Sequence, residues 1–496
     1  MQDRRPPLMS ELSAIIASSF VVGEDVPIGD LTLDSREVTA ERMFCATKGA
    51  RFDGMQFIQE AIARGASSLM VSQAFESPLP LLVVPSVRHA VGRISDLVFN
   101  SPSSLLELVG ITGTNGKTTT SYLMDSALQM GGHKTGLIGT IESRVGDSHR
   151  PSIYTTPEAP DLHRVLAEMV DLRVDIVAME VSSHGIDQHR IDGAHFKLGI
   201  FTNLTAEHLD YHGTIEQYFY AKSLLFEPER CDLALVCIDD EWGRRLSYLT
   251  KVPVLTYGFS EDADLVIVDF ETGFSGTRLH VKGLGLDRAL EVPIIGSCNA
   301  ANAAAAYLGA TQLGVSQEDA AQGIAITPGV EGRFQRIDLG QDFLVVVDYA
   351  HTPDSIRALI RTARDLIPSN GRVILVAGAR GRRDRMKRPE LGRAAASADL
   401  AILTTDNPGD EDPAQIVRQL LAGTVDIARR HIEVELDRRV AIHLAIEEAG
   451  PDDAVLIVGR GHERSFRVGE ARLELDDRQA ASEAILSVLA KEGVSS

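Results

Sequence analysis

LLELVGITGTNGKTTT, residues 105–120, decides how the rest of the chain is read. Its apolar half, ending at Thr112, has the run length and branching of a buried strand, and a helix follows from Lys117 to about Met130. Between them stands Gly113-Thr114-Asn115-Gly116-Lys117-Thr118-Thr119. Glycines let the backbone wrap a phosphate chain, the amides of the helix N-terminus point at it, a lysine neutralises it, and a hydroxyl at Thr118 is placed to ligate Mg²⁺. Position 111 is Ile where the full P-loop pattern has Gly, so the loop is a shortened variant.

On either side of this strand the pattern repeats. VDIVAME (174–180), KLGIFTNL (197–204) and DLALVCI (232–238) alternate with amphipathic helices, which implies a parallel sheet covered on both faces. Residues 28–86 read as a smaller α/β unit, and a new helix capped by Ser86 is expected to open the next one. From about residue 335, FLVVVDYAH, RVILVAGAR, LAILTTDNP and AVLIVGRGHE each pass from branched apolar residues into Gly, Asp, Asn, His or Arg. In a doubly wound sheet the strand ends share one edge, so these clusters are expected to converge on one crevice. The expected units are 1–86, 87–334 and 335–496, all α/β, the middle one carrying the P-loop and the last Rossmann-like.

Composition narrows the function. The 496 residues hold 49 Lys and Arg against 70 Asp and Glu, a formal charge of −21, which argues against a protein that holds nucleic acid by its overall field. Cys45, Cys231, Cys237 and Cys298 lack the paired spacing of a zinc site and fit a reducing compartment, and no uncharged run reaches the ~18 residues of a membrane span. The expectation is a cytoplasmic monomer that acts on small molecules, with neither nucleic acid nor membrane as partner.

Glu180 ends its strand beside the P-loop strand, where an acid holds Mg²⁺ directly or through water. EVSSHGIDQHRIDG (180–193) adds Ser182, His184, Gln188 and Arg190. His208 and His212 have a zinc-compatible spacing, but Leu209 stands where a zincin has Glu, which removes the metalloprotease reading. Lys222, in YFYAKSLLF, reads from its pattern alone as a surface lysine with its stem on apolar neighbours. The basic run 380–388 fits an anion clamp better than a nucleic-acid patch, since it lacks interleaved aromatics, and its outlying Arg380 and Arg382 read as a solvated turn.

Taken in order, LDSREV, TGTNGKTTT, GLIGTI, TTP, MEVSSHGI, FTNLTAEHLDYHG, the Lys222 segment, DYAHTPDS, RRDRMKRP, DNPGDEDP and GRGHE resemble the MurE-type ligases of peptidoglycan synthesis over nearly the whole chain. The resemblance implies that ATP phosphorylates a substrate carboxylate and that an amine attacks the acyl phosphate. It implies that Leu33, Ser35, Ala50, Arg51 and Phe52 touch the UDP part of a muramyl nucleotide, and that Thr155, Thr156, Ser182, Gln188 and Arg190 hold its peptide. Lys222 corresponds to a carbamylated lysine that binds a second Mg²⁺ with His208, while Thr118 and Glu180 serve the metal near the phosphates. Asn302, Arg333, Asp348 and His351 match nucleotide positions; Arg383, Asp406, Asn407, Gly409, Gly459 and Glu463 match the pocket for the incoming amino acid.

Four departures stand out: Glu207 for Asp, Cys298 for Phe, GARGRRD for GCGGDRD, and Asp406-Asn407-Pro408-Gly409 for the DNPR of ligases that accept meso-diaminopimelate. The last predicts L-lysine or L-ornithine as the added residue, with Asp410, Glu411 and Asp412 available to favour a distal ammonium. The alternatives are a paralogue joining an amine to another carboxylate, a meso-diaminopimelate ligase in which Arg380 or Arg382 substitutes, and a nucleotide-binding scaffold. Intact LDSREV and QHRIDG argue against the first, and intact Lys117, Glu180, His208 and Lys222 against the last.

Overall fold

A computed structural model describes residues 5–49, 52–146, 148–382, 385–425 and 431–495. It contains three main sheets in chain order. In the first, Asp30–Thr32, Arg42–Cys45, Ser68–Val71 and Leu81–Val83 run parallel, and Phe20–Val22 adds an antiparallel edge. The helix Val87–Val98 begins at Ser86 as expected, its Oγ accepting from the His89 amide. It does not open the middle unit. Val87, Ala90, Val91, Ile94 and Val98 pack with Met43, Met70 and Leu82 of the first sheet, because that face is the apolar surface the stripe meets first.

The middle sheet has eleven strands. Its parallel centre contains Val254–Gly258, Ala234–Cys237, Leu198–Phe201, Glu107–Thr112, Ile176–Glu180 and Thr135–Ile138, side by side in that order. The P-loop strand is therefore central, and the P-loop helix Lys117–Met130 packs against the alanine-rich helix Ser297–Gln312 in one core. Leu265–Gly273 joins one edge parallel to Val254–Gly258 and continues antiparallel into Gly276–Gly283 and Leu286–Val292, and Glu142–Val145 with Ser148–Pro151 extends the other edge.

In the third sheet the four runs become Leu344–Asp348, Ala454–Val458, Val373–Ala377 and Leu400–Leu403, adjacent in that order and parallel. Residues 373–377 and 454–458 are buried throughout, as strands covered on both faces must be. Their carboxyl ends share one edge, so the polar clusters that follow do converge. Among the described residues no helix is long and apolar enough to cross a membrane.

Candidate active site

Strand register builds the first half of the site. Ile111 pairs with Glu180 and Thr112 with Phe201, so the P-loop, Glu180 and the loop after Phe201 leave one sheet edge side by side. A Cβ at Gly113 would come within 1.9 Å of Thr202 Oγ1, so only glycine lets the loop lie this close to its neighbour. The loop is further held by the Thr114 and Asn115 amides, which donate to Asn203 O (2.8 Å) and Asn203 Oδ1 (3.0 Å).

Lys117 folds over this loop and donates to the carbonyls of Gly113 (2.8 Å) and Thr114 (2.9 Å); burial depresses its pKa, against the pull of Glu207 and Glu180. The Thr118 hydroxyl donates to Glu180 Oε2 at 3.0 Å and accepts from Arg333 Nη2 at 3.0 Å. Glu180 Oε1 accepts from the Thr140 amide at 2.8 Å. A cation is thus already drawn to the Thr118 hydroxyl. No group of three or more His, Cys, Asp or Glu stands ready for a metal among the described residues. Mg²⁺ that arrives on nucleotide phosphates needs only one or two protein oxygens, and the Thr118 hydroxyl and Glu180 carboxylate are oxygens of the kind it takes.

Lys222 corrects the surface reading. The helix Ile215–Ser223 buries Tyr218, Phe219, Ala221 and Lys222. Lys222 Nζ donates to Gly113 O at 2.8 Å and lies 4.7 Å from the Tyr218 ring centroid. Burial first, and Lys117 second, hold its pKa well below the usual lysine range, so the amine is biased towards its neutral, nucleophilic form. His208 has φ +56°, and its ring centroid is 4.8 Å from that of His184.

 

The His184 and His208 rings stand edge to face at 88°, and His212 Nε2 is instead 3.0 Å from Ser183 Oγ, so the two loop histidines do not converge as a zinc pair. Burial takes the His208 pKa down to about 3, which leaves it a neutral nitrogen donor.

The second half of the site comes from the last unit. Glu207, noted in the sequence only as a departure, accepts from His351 Nε2 through Oε1 at 2.8 Å and so ties the middle sheet to the third. Asn302, Arg333, Asp348 and His351 line, with the P-loop, one cleft of about 490 Å³. Asp348 accepts from the Phe334 (2.6 Å) and Ala350 (2.7 Å) amides. Tyr349 was not singled out from sequence. Its ring lies under both Arg333 (4.6 Å) and Arg380 (5.4 Å), and its place inside DYAH was the available signal.

Thr155, Thr156, Ser182, Gln188 and Arg190 are brought together. Arg190 donates to Thr156 O (2.9 Å) and Gln188 Oε1 (2.6 Å), Thr156 Oγ1 is 3.0 Å from Ser182 Oγ, and Thr155 Oγ1 is 3.1 Å from Thr140 Oγ1. In the first unit Leu33 packs on the core, Ser35 donates to Glu60 (2.9 Å) and Phe52 is exposed; Ala50 and Arg51 lie outside the described residues.

Arg383 also lies outside the described residues. Asp406 is buried, and neither of its oxygens has a hydrogen-bond partner among the described residues; the same holds for Glu463 Oε2. Gly459 lies against Asp406, and Asn407 Oδ1 accepts from the Arg467 amide at 3.2 Å. Two expectations are corrected here. Arg380 is not a solvated turn residue: it is mostly buried and paired with Glu463. Nor are the acids after Gly409 available to a ligand. Asp410 is paired with Arg382, Glu411 with Arg388 (2.9 Å), and Asp412 caps the next helix through the Ala414 amide (3.0 Å).

Three α/β units in series, with a P-loop in the second facing a polar strand-end crevice in the third, define an ATP-dependent ligase. The chain belongs to the Mur ligase family and is of its MurE type, an acid–amino-acid ligase. Residues 27–94 match the Mur ligase family catalytic domain, 111–310 the middle domain, and 332–461 the glutamate ligase domain. It is 39% identical over 471 residues to a UDP-N-acetylmuramoyl-L-alanyl-D-glutamate–2,6-diaminopimelate ligase of Geobacillus kaustophilus, covering 93% of this chain and 96% of that one. An Aquifex aeolicus protein of the same description is 40% identical over 454 residues, covering 91% and 92%. A solved structure of a ligase so described superposes with a TM-score of 0.66 at 29% identity, covering 94% of this chain and 97% of that one.

Proposed function

We propose that this ligase adds the third residue to UDP-N-acetylmuramoyl-L-alanyl-D-glutamate in peptidoglycan precursor synthesis, acting in the cytoplasm as a monomer. The supporting observation is the continuity of the site: Arg190 reaches Thr156, and Thr156 Oγ1 donates to Glu180 O (3.1 Å), so the peptide-binding side chains end on the residue beside the P-loop. A substrate carboxylate held there attacks the γ-phosphorus of ATP; the bond to ADP breaks and an acyl phosphate forms. The amine of the incoming residue attacks the acyl carbon, phosphate leaves, and the amine loses its proton. Lys117 neutralises phosphate charge, and Thr118 and Glu180 would hold Mg²⁺, which when bound lowers the negative charge that repels the carboxylate. Lys222, buried and with its pKa held well below the usual lysine range, is suited to take up CO₂ as a carbamate, releasing a proton and presenting oxygens beside His208.

For the added residue, Gly409 offers no side chain to a distal carboxylate, while the unpartnered oxygens of Asp406 and Glu463 suit ammonium groups. This supports L-lysine or L-ornithine. The names of the relatives favour meso-diaminopimelate instead, and on that reading Arg382 would exchange its pairing with Asp410 for the distal carboxylate. Phosphate release from ATP, Mg²⁺ and the dipeptide nucleotide across a panel of amino acids tests both readings.

A further inference from the structure

The peptide-binding loop is seated on the first unit. Arg88, on the helix Val87–Val98, is 2.5 Å from Glu158 Oε2 through Nη1, and the other oxygen of the same carboxylate is 3.2 Å from Arg190 Nε. Arg88 also reaches Gln188 O at 3.5 Å, and the rings of His89 and His189 lie with centroids 3.9 Å apart, tilted by 44°. Arg190 lies 4.7 Å over the Tyr154 ring. All three charged side chains are largely buried, at 22%, 18% and 11% exposed for Arg88, Glu158 and Arg190.

We infer that Glu158 is a positioning residue: its carboxylate bridges Arg88 of the first unit and Arg190 of the peptide site, and so fixes the guanidinium that meets the muramyl peptide. A long arginine side chain loses much rotamer freedom when it binds a ligand, and a partner that has already ordered it removes that cost from binding. Two arginines on one carboxylate leave a net positive charge, so the site still attracts an anionic peptide. The inference rests on the reading of Arg190 as a peptide-binding residue.

The test is calorimetric binding of UDP-N-acetylmuramoyl-L-alanyl-D-glutamate and, separately, of ADP to the full chain. Arg190→Ala, Glu158→Ala and Arg88→Ala are each expected to weaken the muramyl nucleotide by tenfold or more while changing ADP affinity less than threefold. Arg88→Ala combined with Glu158→Ala should be no weaker than the worse single variant, because both remove one bridge. Equal loss for both ligands in Glu158→Ala would show a merely structural role and overturn the inference. Loss in Arg190→Ala without loss in Glu158→Ala or Arg88→Ala would overturn it while leaving the site reading intact. Unchanged binding in Arg190→Ala would overturn both.

Discussion

Lys117 and Lys222 donate to the same carbonyl oxygen, that of Gly113, each at 2.8 Å. Two ammonium groups on one acceptor repel each other, and burial lowers the pKa of both, that of the more enclosed Lys222 to well below the usual lysine range. One backbone oxygen therefore gathers two lysines, and the two differ in how strongly their surroundings disfavour the charged form.

Replacing Lys117 by Ala should cost on the order of 10²-fold or more in kcat, by loss of phosphate-charge stabilisation. Wild-type turnover in the variant, measured by phosphate release, would show that the loop does not bind ATP phosphates.

Lys222→Ala should be nearly inactive and partly restored by small carboxylic acids that fill the vacated space with oxygen ligands. Full activity without added acid rules out the carbamate role. Intact mass is a poor probe, because a carbamate is acid-labile.

Gly409→Arg should shift relative kcat/KM from L-lysine or L-ornithine towards meso-diaminopimelate by roughly ten- to a hundredfold, the worth of one charge-assisted hydrogen bond of ~1.5 to 3 kcal/mol. If the wild type already prefers meso-diaminopimelate, the lysine reading falls and Arg382→Ala becomes the informative variant.

His163 is buried against Asp192 O (3.0 Å), and burial holds its pKa down to about 4. The unfolded chain binds this proton near pH 6.5 and the folded one only near 4, so stability falls as pH drops through that window. The full effect is about 3 kcal/mol. Thermal melts between pH 7 and 4 should show a shallower decline for His163→Gln than for wild type; parallel curves would refute the assignment.

Most of the parallel framework was legible because buried strands must be continuous apolar runs, and 105–112, 174–180, 343–348 and 454–458 are such runs. The extension 265–292 was not: its strands mix buried and exposed residues, with 268–271 exposed throughout, and so present no continuous apolar run. Lys222 and Arg380 were misplaced for a different reason. Whether a cation is buried depends on partners far away in sequence, here Gly113 and Glu463, and no local pattern records them.

Gly409 has φ +60° and open space where a Cβ would stand. Room is therefore not what keeps an arginine out; backbone conformation is, since any other L residue in this region carries roughly 1–2 kcal/mol of strain. A return to arginine by one substitution therefore carries that strain unless the loop reshapes with it. The glycine thus ties the choice of amino acid to the conformation of the turn as well as to the side chain it presents.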